Sequence, residues 1–203
     1  KCKAERPMIL NLESGGFMKL APNRFDAEFD AQSEKPGEQR LEKMVSGRYM
    51  GELFGMAIAE LLGEKGKKYG FTSIDMSNII LDETAGLSEV GRIVSAKTGH
   101  DLEEVDRQRL QELASALVVR SARLVTATYV GIIWQLAGDE AIKKQHIAID
   151  GSVYEKMPLA KENIMRALSE LLGESAPLVD TVLENGGSGL GAAIAAAMSQ
   201  QQA

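Results

Sequence analysis

The feature that most constrains the fold of this chain is a long amphipathic segment in its first half. Between about residues 38 and 64, apolar side chains recur at helical spacing, which predicts one long helix with Pro36 in its first turn. Gly47, Gly51 and Gly55 lie one turn apart on this helix. Each glycine costs about 1 kcal/mol relative to alanine in a helix interior. Three glycines on one face therefore predict close packing of that face against another element.

The rest of the chain mixes strand-like and helical patterns, which predicts an α/β or α+β fold rather than a helix bundle. Asp101, followed by Glu104, predicts a capped helix start, and an apolar helix over about residues 115–136 is expected to be buried. The other predicted elements are two short strands around a Gly15-Gly16 turn in residues 8–20, short helices near 76–82 and 88–99, a hairpin around the Asp-Gly of 146–156, a helix over 160–172, an extended stretch at 177–184, and a glycine loop leading into a last helix.

Composition excludes several classes of protein. The 203 residues carry a formal net charge of −6 and no basic stripe, which argues against a nucleic-acid partner. A single cysteine rules out an internal disulfide and fits a reducing compartment, and two histidines with that cysteine cannot build a zinc cluster. No uninterrupted apolar run reaches the roughly 18 residues of a membrane span. The N-terminus lacks the apolar core of a signal peptide, so a cytoplasmic location without a membrane partner is expected.

Four segments, NLESGGF, KPGEQRLEKMVSGRYMGEL, IAIDGSVYEKMP and GGSGLGAA, follow one another in a familiar order and spacing. Over about residues 8–198 the chain resembles the C-terminal, larger domain of hexokinases. The resemblance implies a ribonuclease H-like (actin-like ATPase) α/β domain with a mixed sheet and several long helices. It also implies that residues 1–203 are one part of a longer two-lobed kinase, without its N-terminal small domain, from a divergent microbial member of the family.

The resemblance implies that Glu13 and Glu42 bind the sugar, with Asn11 and Gln39 as supporting groups. An ionised carboxylate accepts hydrogen bonds from two hydroxyls, each worth about 1.5–3 kcal/mol when it is charge-assisted. Two carboxylates from separate segments would therefore hold one face of a hexose, expected to be glucose. On composition alone both glutamates would be solvated surface residues. Paired carboxylates also fit a glycosidase, the less favoured alternative, because the sequence does not set their separation.

The resemblance further implies ATP with Mg²⁺ as co-substrate. Arg48 fits a phosphate contact and equally fits a solvated cation. The Asp-Gly pair before Ser152 predicts a tight turn in any interpretation. Leu190 replaces a lysine or arginine of many relatives, and Ser14–Phe17 replaces a Trp-Gly-Ala-Phe segment. The positions implied to contact the nucleotide are Gly47, Arg48, Ser77, Gly151, Ser152, Val153, Tyr154, Gly187, Ser188 and Gly189.

In the intact enzyme this pattern implies phosphorylation of a hexose 6-hydroxyl by ATP. The sequence contains neither the Asp-Leu-Gly-Gly-Thr-Asn phosphate motif nor a recognisable base aspartate. We therefore expect no catalytic residue and no metal ligand within the chain, an inactive chain on its own, and the missing N-terminal lobe as its partner. A non-catalytic sugar- or nucleotide-binding regulatory domain and a plain association surface are the alternatives. Exposed apolar surface predicts some self-association.

Overall fold

The computed structural model describes residues 10–184 and 186–200. These residues form a helix-rich α/β structure with a small parallel sheet and short 3₁₀ turns at Ser14–Gly16, Ala85–Leu87 and Gly173–Leu178. The helices are α1 (Arg24–Gln32), α2 (Arg40–Val45), α3 (Gly47–Leu61), α4 (Ser73–Ile80), α5 (Ser88–Thr98), α6 (Glu104–Ala137), α7 (Ser152–Lys156), α8 (Ala160–Leu172) and α9 (Gly187–Gln200), and the strands are β1 (Gln145–Ile149) and β2 (Val179–Leu183).

Helix α6 is the centre of the molecule and packs against α2, α3, α4, α5 and α8. Its first half joins α3, α4 and α5 in one apolar core, and its second half joins β1, α8 and β2 in another. By length and composition it could also cross a membrane, but a central helix of a soluble fold meets the same criterion. One face carries its buried side chains: Leu110, Ala114, Val118, Ser121, Ala122, Thr126, Val130 and Ile133.

The prediction of two helices in this region is wrong, and so is the predicted cap at Asp101. α6 is continuous from Glu104, and its N-cap residue, Glu103, makes no capping hydrogen bond through its side chain. The buried positions recur every three or four residues across residue 115, where the predicted break lies. This continuous buried face favours an unbroken helix and outweighs the local capping signal at Asp101.

The predicted helix over residues 38–64 is also shorter and divided in two. Its first part begins at Arg40 instead of near Pro36, and Ser46 then adopts an extended conformation with φ −69° and ψ 139°. The Ser46 side chain accepts a hydrogen bond from the amide of Arg48 at 3.2 Å and caps the start of α3. The helical pattern continues through this break because each helix buries apolar side chains, Leu41 and Met44 on α2 and Met50, Phe54 and Ile58 on α3.

Close packing of the glycine face of α3 is confirmed. A Cβ atom built on Gly51 would lie 2.4 Å from the carbonyl oxygen of Phe71, and one on Gly47 would lie 2.7 Å from Cγ2 of Val153. At Gly55 the nearest atom, Cδ2 of Phe71, would be 3.4 Å away. Gly51 therefore excludes any side chain, because the close atoms are backbone, whereas a side chain at Gly47 would require Val153 to move and Gly55 tolerates a small one.

Strands β1 and β2 pair in parallel, from Gln145 opposite Val179 to Ile149 opposite Leu183. The predicted hairpin over residues 146–156 is wrong, because β1 leads into α7 and the chain returns through α8 to β2. A parallel pair requires such a crossover, which the local Asp-Gly signal does not reveal. The sheet of the described residues is thus purely parallel, in place of the mixed sheet that the resemblance implied.

The short helices predicted near 76–82 and 88–99, the helix over 160–172 and the extended stretch at 177–184 are confirmed as α4, α5, α8 and β2. The two strands predicted in residues 8–20 are wrong where the structure describes them, since residues 10–20 contain a 3₁₀ turn and no strand. Residues 8 and 9 lie outside the described residues.

Candidate functional site

A cavity of about 780 Å³ lies between α1, the start of α2, one side of α3 and the segment 65–73. We call it the first cavity. Its wall combines charged side chains of both signs in equal number with several aromatic rings and other apolar surface. The charged side chains that line it are those of Glu28, Glu34, Lys35, Glu38, Glu42, Lys43, Arg48, Glu52, Glu60, Lys65, Lys67 and Lys68.

Two of the four predicted sugar-binding residues lie at one end of the first cavity, and the other two, Asn11 and Glu13, do not line it. Gln39 and Glu42 line it. The 3₁₀ turn packs against them, since a Cβ atom on Gly15 would lie 3.0 Å from Oε1 of Gln39 and 3.2 Å from Cβ of Glu42. Glu13 precedes this turn and accepts a hydrogen bond from Nδ2 of Asn11 at 2.8 Å. Two segments far apart in sequence thus meet at one exposed polar corner.

The backbone at this corner is strained. Glu13 and Gln39 both have positive φ, 45° and 51°, and are two of four non-glycine residues in the described part of the chain that do. For a residue with a side chain this conformation costs roughly 1–2 kcal/mol. Such outliers cluster at functional sites, where the surrounding structure compensates for the strain. This corner is therefore a candidate site on backbone geometry as well as on side-chain chemistry.

A buried lysine holds the loop that presents Gln39. Nζ of Lys43 donates to Oδ1 of Asp30 at 2.5 Å and to the carbonyl oxygen of Lys35 at 2.6 Å. The amide of Gly37 donates to the other oxygen of Asp30 at 2.9 Å. The Lys43 hydrogen bond is the main cause that lowers the pKa of Asp30, against the opposing effect of burial. Asp30 is thus charged at neutral pH, and its contacts tie the loop to α1 and α2.

Helix α6 is hydrogen-bonded to the two helices next to this corner, α1 and α2. Nη1 of Arg120 donates to both carboxylate oxygens of Asp26, at 3.0 and 2.9 Å, and Asp26 is buried. The hydroxyl of Ser121 donates to the carbonyl oxygen of Val45 at 2.7 Å. These contacts connect α1 and the end of α2 to the central helix and so hold the helices that flank the polar corner in place.

Ion pairs close the far end of the first cavity. Arg24 contacts Glu60 at 2.6 Å, and Lys65 contacts Glu28 at 3.2 Å, so α1 is joined to α3 and to the segment 65–73. The hydroxyl of Tyr69, in this segment, donates to Glu64 just before it, which lowers the pKa of Glu64 to about 2. Burial and this carboxylate raise the pKa of Tyr69 to about 12.

A second cavity, of about 440 Å³, lies between the start of α3, the middle of α6, β1, α7 and α8. It brings together six of the residues predicted to contact nucleotide. Arg48 is the one charged side chain among the described residues that line it, and the rest of the wall is apolar or hydroxyl-bearing. The six predicted residues are Gly47, Arg48, Gly151, Ser152, Val153 and Tyr154.

Two tyrosines form part of the second cavity. The hydroxyl of Tyr154 lies 2.7 Å from Oγ1 of Thr181 on β2, which fixes the ring. Burial, and to a lesser degree the proximity of Tyr154, raise the pKa of Tyr129. Both rings line the cavity and present apolar surface to it. The wall therefore combines aromatic surface with a single cation.

Three residues, Gly47, Arg48 and Ser73, line both cavities. Ser73 was not predicted from the sequence, although a signal for it exists. Thr72 and Asp75 form a reciprocal capping box, and the Thr-x-x-Asp spacing marks Ser73 as the first residue of a helix. What the sequence does not reveal is that this helix start lies beside the start of α3.

The remaining predicted nucleotide contacts lie elsewhere. Ser77 is one turn further along α4 and lines neither cavity. The predicted glycine loop is wrong in its conformation, because the backbone of Gly187, Ser188 and Gly189 forms the first turn of α9. Gly187 and Gly189 line neither cavity. Nucleotide contacts at these four positions stay predictions.

In residues 10–184 and 186–200, no group of three or more histidine, cysteine, aspartate or glutamate side chains is placed to hold a metal ion. Magnesium bound to a nucleotide is usually held by the phosphates, waters and one or two carboxylates, which does not require such a group.

Comparison with known proteins identifies what the chain is similar to. A family model described as hexokinase matches residues 1–198. Hexokinase-2 of Candida albicans is 32% identical over 98% of this chain and 44% of its own length, and Hexokinase-7 of rice is 35% identical over 96% and 46%. A solved hexokinase crystal structure superimposes with a TM-score of 0.73 at 25% identity, over 88% of this chain and 41% of its own. The chain spans less than half the length of these relatives, which come from yeast and plants.

Proposed function

Because the chain belongs to the hexokinase family, we propose that it forms the hexose-contacting wall and the adenine-nucleotide cavity of an ATP:hexose 6-phosphotransferase. One observation carries this proposal: the cavity with Gln39 and Glu42 meets the cavity with Gly151–Tyr154 at a shared wall. Phosphoryl transfer needs positioning, charge neutralisation and a base, with little covalent chemistry by the protein. Two ligand cavities that adjoin at one wall satisfy the positioning requirement.

The hexose, glucose or a similar sugar, occupies the polar corner of the first cavity. Glu42 and Glu13 accept hydrogen bonds from sugar hydroxyls, and the side-chain amides of Gln39 and Asn11 supply a donor and an acceptor each. The strained backbone at Glu13 and Gln39 supports this assignment, because a site held in place before binding loses less entropy when the sugar arrives.

The nucleotide occupies the second cavity. No carboxylate lines it among the described residues, so its electrostatics do not oppose a polyanion, and Arg48 offers a cation. The amides at the start of α3 carry the positive end of the helix dipole, which also favours phosphate. Tyr129, Tyr154 and the apolar side chains of α6 offer a flat apolar wall for a purine. Magnesium, carried by the phosphates, supplies charge neutralisation.

We also place β1 and β2 within a larger sheet of the ribonuclease H-like type, in a protein of the cytoplasm. The base aspartate and the phosphate motif belong to a part of the family's pattern that the 203 residues lack. The chain alone therefore binds ligands weakly and turns over little ATP. Hexose-dependent ATP hydrolysis or sugar phosphate formation by the purified chain would contradict this.

The test is a calorimetric titration of the chain with glucose and with magnesium ATP, at ligand concentrations up to tens of millimolar. Both ligands are expected to bind saturably. Glu42→Gln removes a charge-assisted acceptor and should weaken glucose binding about tenfold or more. Glu38→Gln is the matched control, since Glu38 lines the same cavity and forms only a 4.0 Å pair with Lys35 at the surface.

Absence of binding for both ligands would overturn the proposal. Equal loss of glucose binding in the Glu42→Gln and Glu38→Gln variants would show that the sugar does not bind at the polar corner. Binding of ATP without glucose would favour a nucleotide-binding regulatory domain instead.

A further inference from the structure

We infer that Lys43 is a positioning residue for the hexose: it keeps Gln39 in contact with the turn that follows Glu13 and so sets the affinity of the polar corner for a sugar. This inference rests on the proposed function and adds to it a residue that does not itself bind the ligand. Lys43 borders the first cavity, but its side chain is only 7% exposed, and two of the three donors of its ammonium group are already used. Its influence on a sugar must therefore pass through other residues.

The loop 33–39, which connects α1 to α2 and ends at Gln39, has little apolar packing of its own. Its sequence is SEKPGEQ, and all of its residues are exposed except the half-buried Ser33. Gly37 and Gln39 have positive φ, 80° and 51°, and the Gln39 side chain makes no capping hydrogen bond within the described part of the chain. Hydrogen bonds to the neighbouring helices, rather than burial, must therefore fix the position of Gln39.

Three alternate residues of this loop are hydrogen-bonded to Asp30 on α1 or to Lys43 on α2. The Ser33 hydroxyl donates to the carbonyl oxygen of Asp30 at 2.7 Å, and the Gly37 amide donates to the Asp30 carboxylate at 2.9 Å. The carbonyl oxygen of Lys35 accepts from Nζ of Lys43 at 2.6 Å, and the same Nζ donates to the Asp30 carboxylate at 2.5 Å. Nζ of Lys43 thus links the middle of the loop to both helices.

The same turn of α2 connects Lys43 to the sugar-binding residues. The amide of Lys43 donates to the carbonyl oxygen of Gln39 at 3.0 Å, and the neighbouring Glu42 is exposed at the polar corner. A Cβ atom built on Gly15 would lie 3.0 Å from Oε1 of Gln39 and 3.2 Å from Cβ of Glu42. The turn after Glu13 therefore packs directly on both residues, and a displacement of the loop changes the distance between the two sugar-binding segments.

The expected size of the effect follows from the cost of ordering the loop. When Lys43 is replaced, the loop should populate other conformations in the free protein, and only those that present Gln39 to the sugar can bind it. Ordering one mobile side chain on binding weakens an affinity about two- to tenfold, and here loop backbone is ordered with it. Residues 33–39 do not line the second cavity, so the affinity for ATP should not change.

The test measures the binding of glucose and of magnesium ATP, and thermal unfolding, for the full 203-residue chain and its variants. Lys43→Met should weaken glucose binding about fivefold or more and leave ATP binding unchanged. It also removes the ammonium partner of the Asp30 carboxylate, so its melting temperature should fall. The double variant Asp30→Leu/Lys43→Met removes both charges, and apolar replacement of such a pair is often neutral for stability. It should melt near the wild type and still bind glucose as weakly as Lys43→Met.

Lys97→Met is the matched control, because Lys97 makes the same kind of contact with another segment of the first cavity. Nζ of Lys97 donates to the carbonyl oxygen of Gly70 at 2.8 Å and lies 3.1 Å from the carboxylate of Asp75. Gly70 lines the first cavity, but it belongs to the segment 65–73 and not to the loop that carries Gln39. Lys97→Met should therefore bind glucose like the wild type.

A second comparison tests whether Lys43 acts through Gln39. In a Gln39→Ala chain the side chain that the loop presents is already missing, so the addition of Lys43→Met should weaken glucose binding no further. Mutations that act through one contact are non-additive, whereas the effects of independent mutations add.

Several outcomes overturn the inference while leaving the proposed function intact: wild-type glucose affinity in Lys43→Met or in the double variant, an equal loss in Lys97→Met, or additive losses from Gln39→Ala and Lys43→Met. If Lys43→Met does not fold, the double variant decides the question. A double variant that does not fold either would show that the pair has a structural role only, and would also overturn the inference. A wild-type chain that binds no glucose would instead remove the hexose site from the proposed function, and the inference with it.

Discussion

The two cavities are built in different ways although they share a wall. The first cavity is formed by α1, the loop that follows it, the start of α2, α3 and the segment 65–73, and ion pairs such as Asp30–Lys43 and Glu28–Lys65 connect these parts. The second is formed by helix starts and a parallel strand, and apolar packing around α6 holds it. The shape of the first therefore depends on charge, and the shape of the second depends on packing.

This difference matches the chemistry of the two proposed ligands. A sugar is recognised through many hydroxyls, which requires polar groups at fixed angles, and ion pairs are a means of fixing polar loops. A nucleotide combines a flat apolar base with phosphates, which suits an apolar wall that ends at helix amides and a cation. Changes that act on packing and changes that act on charge should affect the two cavities unequally.

The largest effect is expected at the contact between α3 and the segment 71–72. Gly51→Ala places a methyl group 2.4 Å from the carbonyl oxygen of Phe71 and 2.6 Å from Cα of Thr72, so backbone must move. We expect a loss of about 3 kcal/mol or more in the free energy of unfolding. Urea denaturation measures it, and binding to both cavities should weaken.

Gly55→Ala is the control on the same helix face. Its new methyl group would contact the side chain of Phe71, at 3.4 Å from Cδ2 and 3.8 Å from Cβ, and alanine is favoured over glycine by about 1 kcal/mol in a helix. This variant should be as stable as the wild type or slightly more so. Equal destabilisation of both variants would show that α3 does not pack as described.

The second-largest effect is expected at the contact between α6 and α1, next to the first cavity. Arg120→Met leaves the buried carboxylate of Asp26 without its partner. Removing one member of a buried pair costs about 3–5 kcal/mol, and the partial exposure of Arg120 reduces the expected loss to about 2 kcal/mol. Glucose binding should weaken more than ATP binding, because Asp26 lies on α1 and α1 lines the first cavity but not the second.

Arg123→Met tests the same charge change one turn further along α6. Arg123 pairs with Glu170 at the surface, where such pairs contribute less than about 1 kcal/mol. If the Arg123 and Arg120 variants lose the same stability, or if the Arg120 variant weakens both ligands equally, the first cavity is not supported in the way described here.

The third effect is a dependence on pH. A carboxyl whose pKa is lower in the folded than in the unfolded chain stabilises the fold above its unfolded pKa, and this contribution is lost as the pH falls through the folded pKa. The pKa values of Asp30 and Glu64 are lowered in this way. The free energy of unfolding should fall from about pH 5 to about pH 2.

Asp30→Asn isolates the contribution of one carboxyl. It should be less stable than the wild type at neutral pH, and its stability should depend less on pH over the same acidic range. Urea denaturation at a series of pH values provides the comparison. A variant whose pH dependence equals that of the wild type would show that the Asp30–Lys43 contact does not hold the loop.

The smallest effect is expected at α9, which lies outside both cavities. Leu190 and Ile194 are 62% and 52% exposed, so their replacement by serine should change the free energy of unfolding by less than about 0.5 kcal/mol. The predicted self-association should decrease, since exposed apolar side chains drive it. Sedimentation velocity over a range of concentrations measures this, and a wild-type chain that is monomeric throughout would contradict the prediction.

The sequence predicted the elements whose signals are local. Helix α8 was predicted correctly because its apolar residues recur at helical spacing. The close packing at Gly51 was predicted because a glycine in a helix interior lowers helix stability and therefore needs a structural reason. The resemblance of short sequence segments to the hexokinase family predicted the family, and one of these segments contains both Gln39 and Glu42. Elements that depend on distant partners were missed.

Two errors show why distant partners matter. The Asp-Gly signal before Ser152 favours a hairpin, but β1 pairs in parallel with β2, which lies about thirty residues later in the chain. Ser73 carries a capping signal in the sequence, but only the approach of α4 to α3 brings it to the wall that the two cavities share. Strand order and helix contacts of this kind are properties of the assembled fold.

The most direct test of the two-cavity arrangement is the mapping of ligand-induced amide chemical shifts by NMR on the ¹⁵N-labelled chain. Glucose should shift the amides of Gly15, Gln39 and Glu42, magnesium ATP should shift those of Gly151–Tyr154, and the amides of Gly47, Arg48 and Ser73 should respond to both. A single set of shifts for both ligands, or two sets that do not overlap at this wall, would contradict the account.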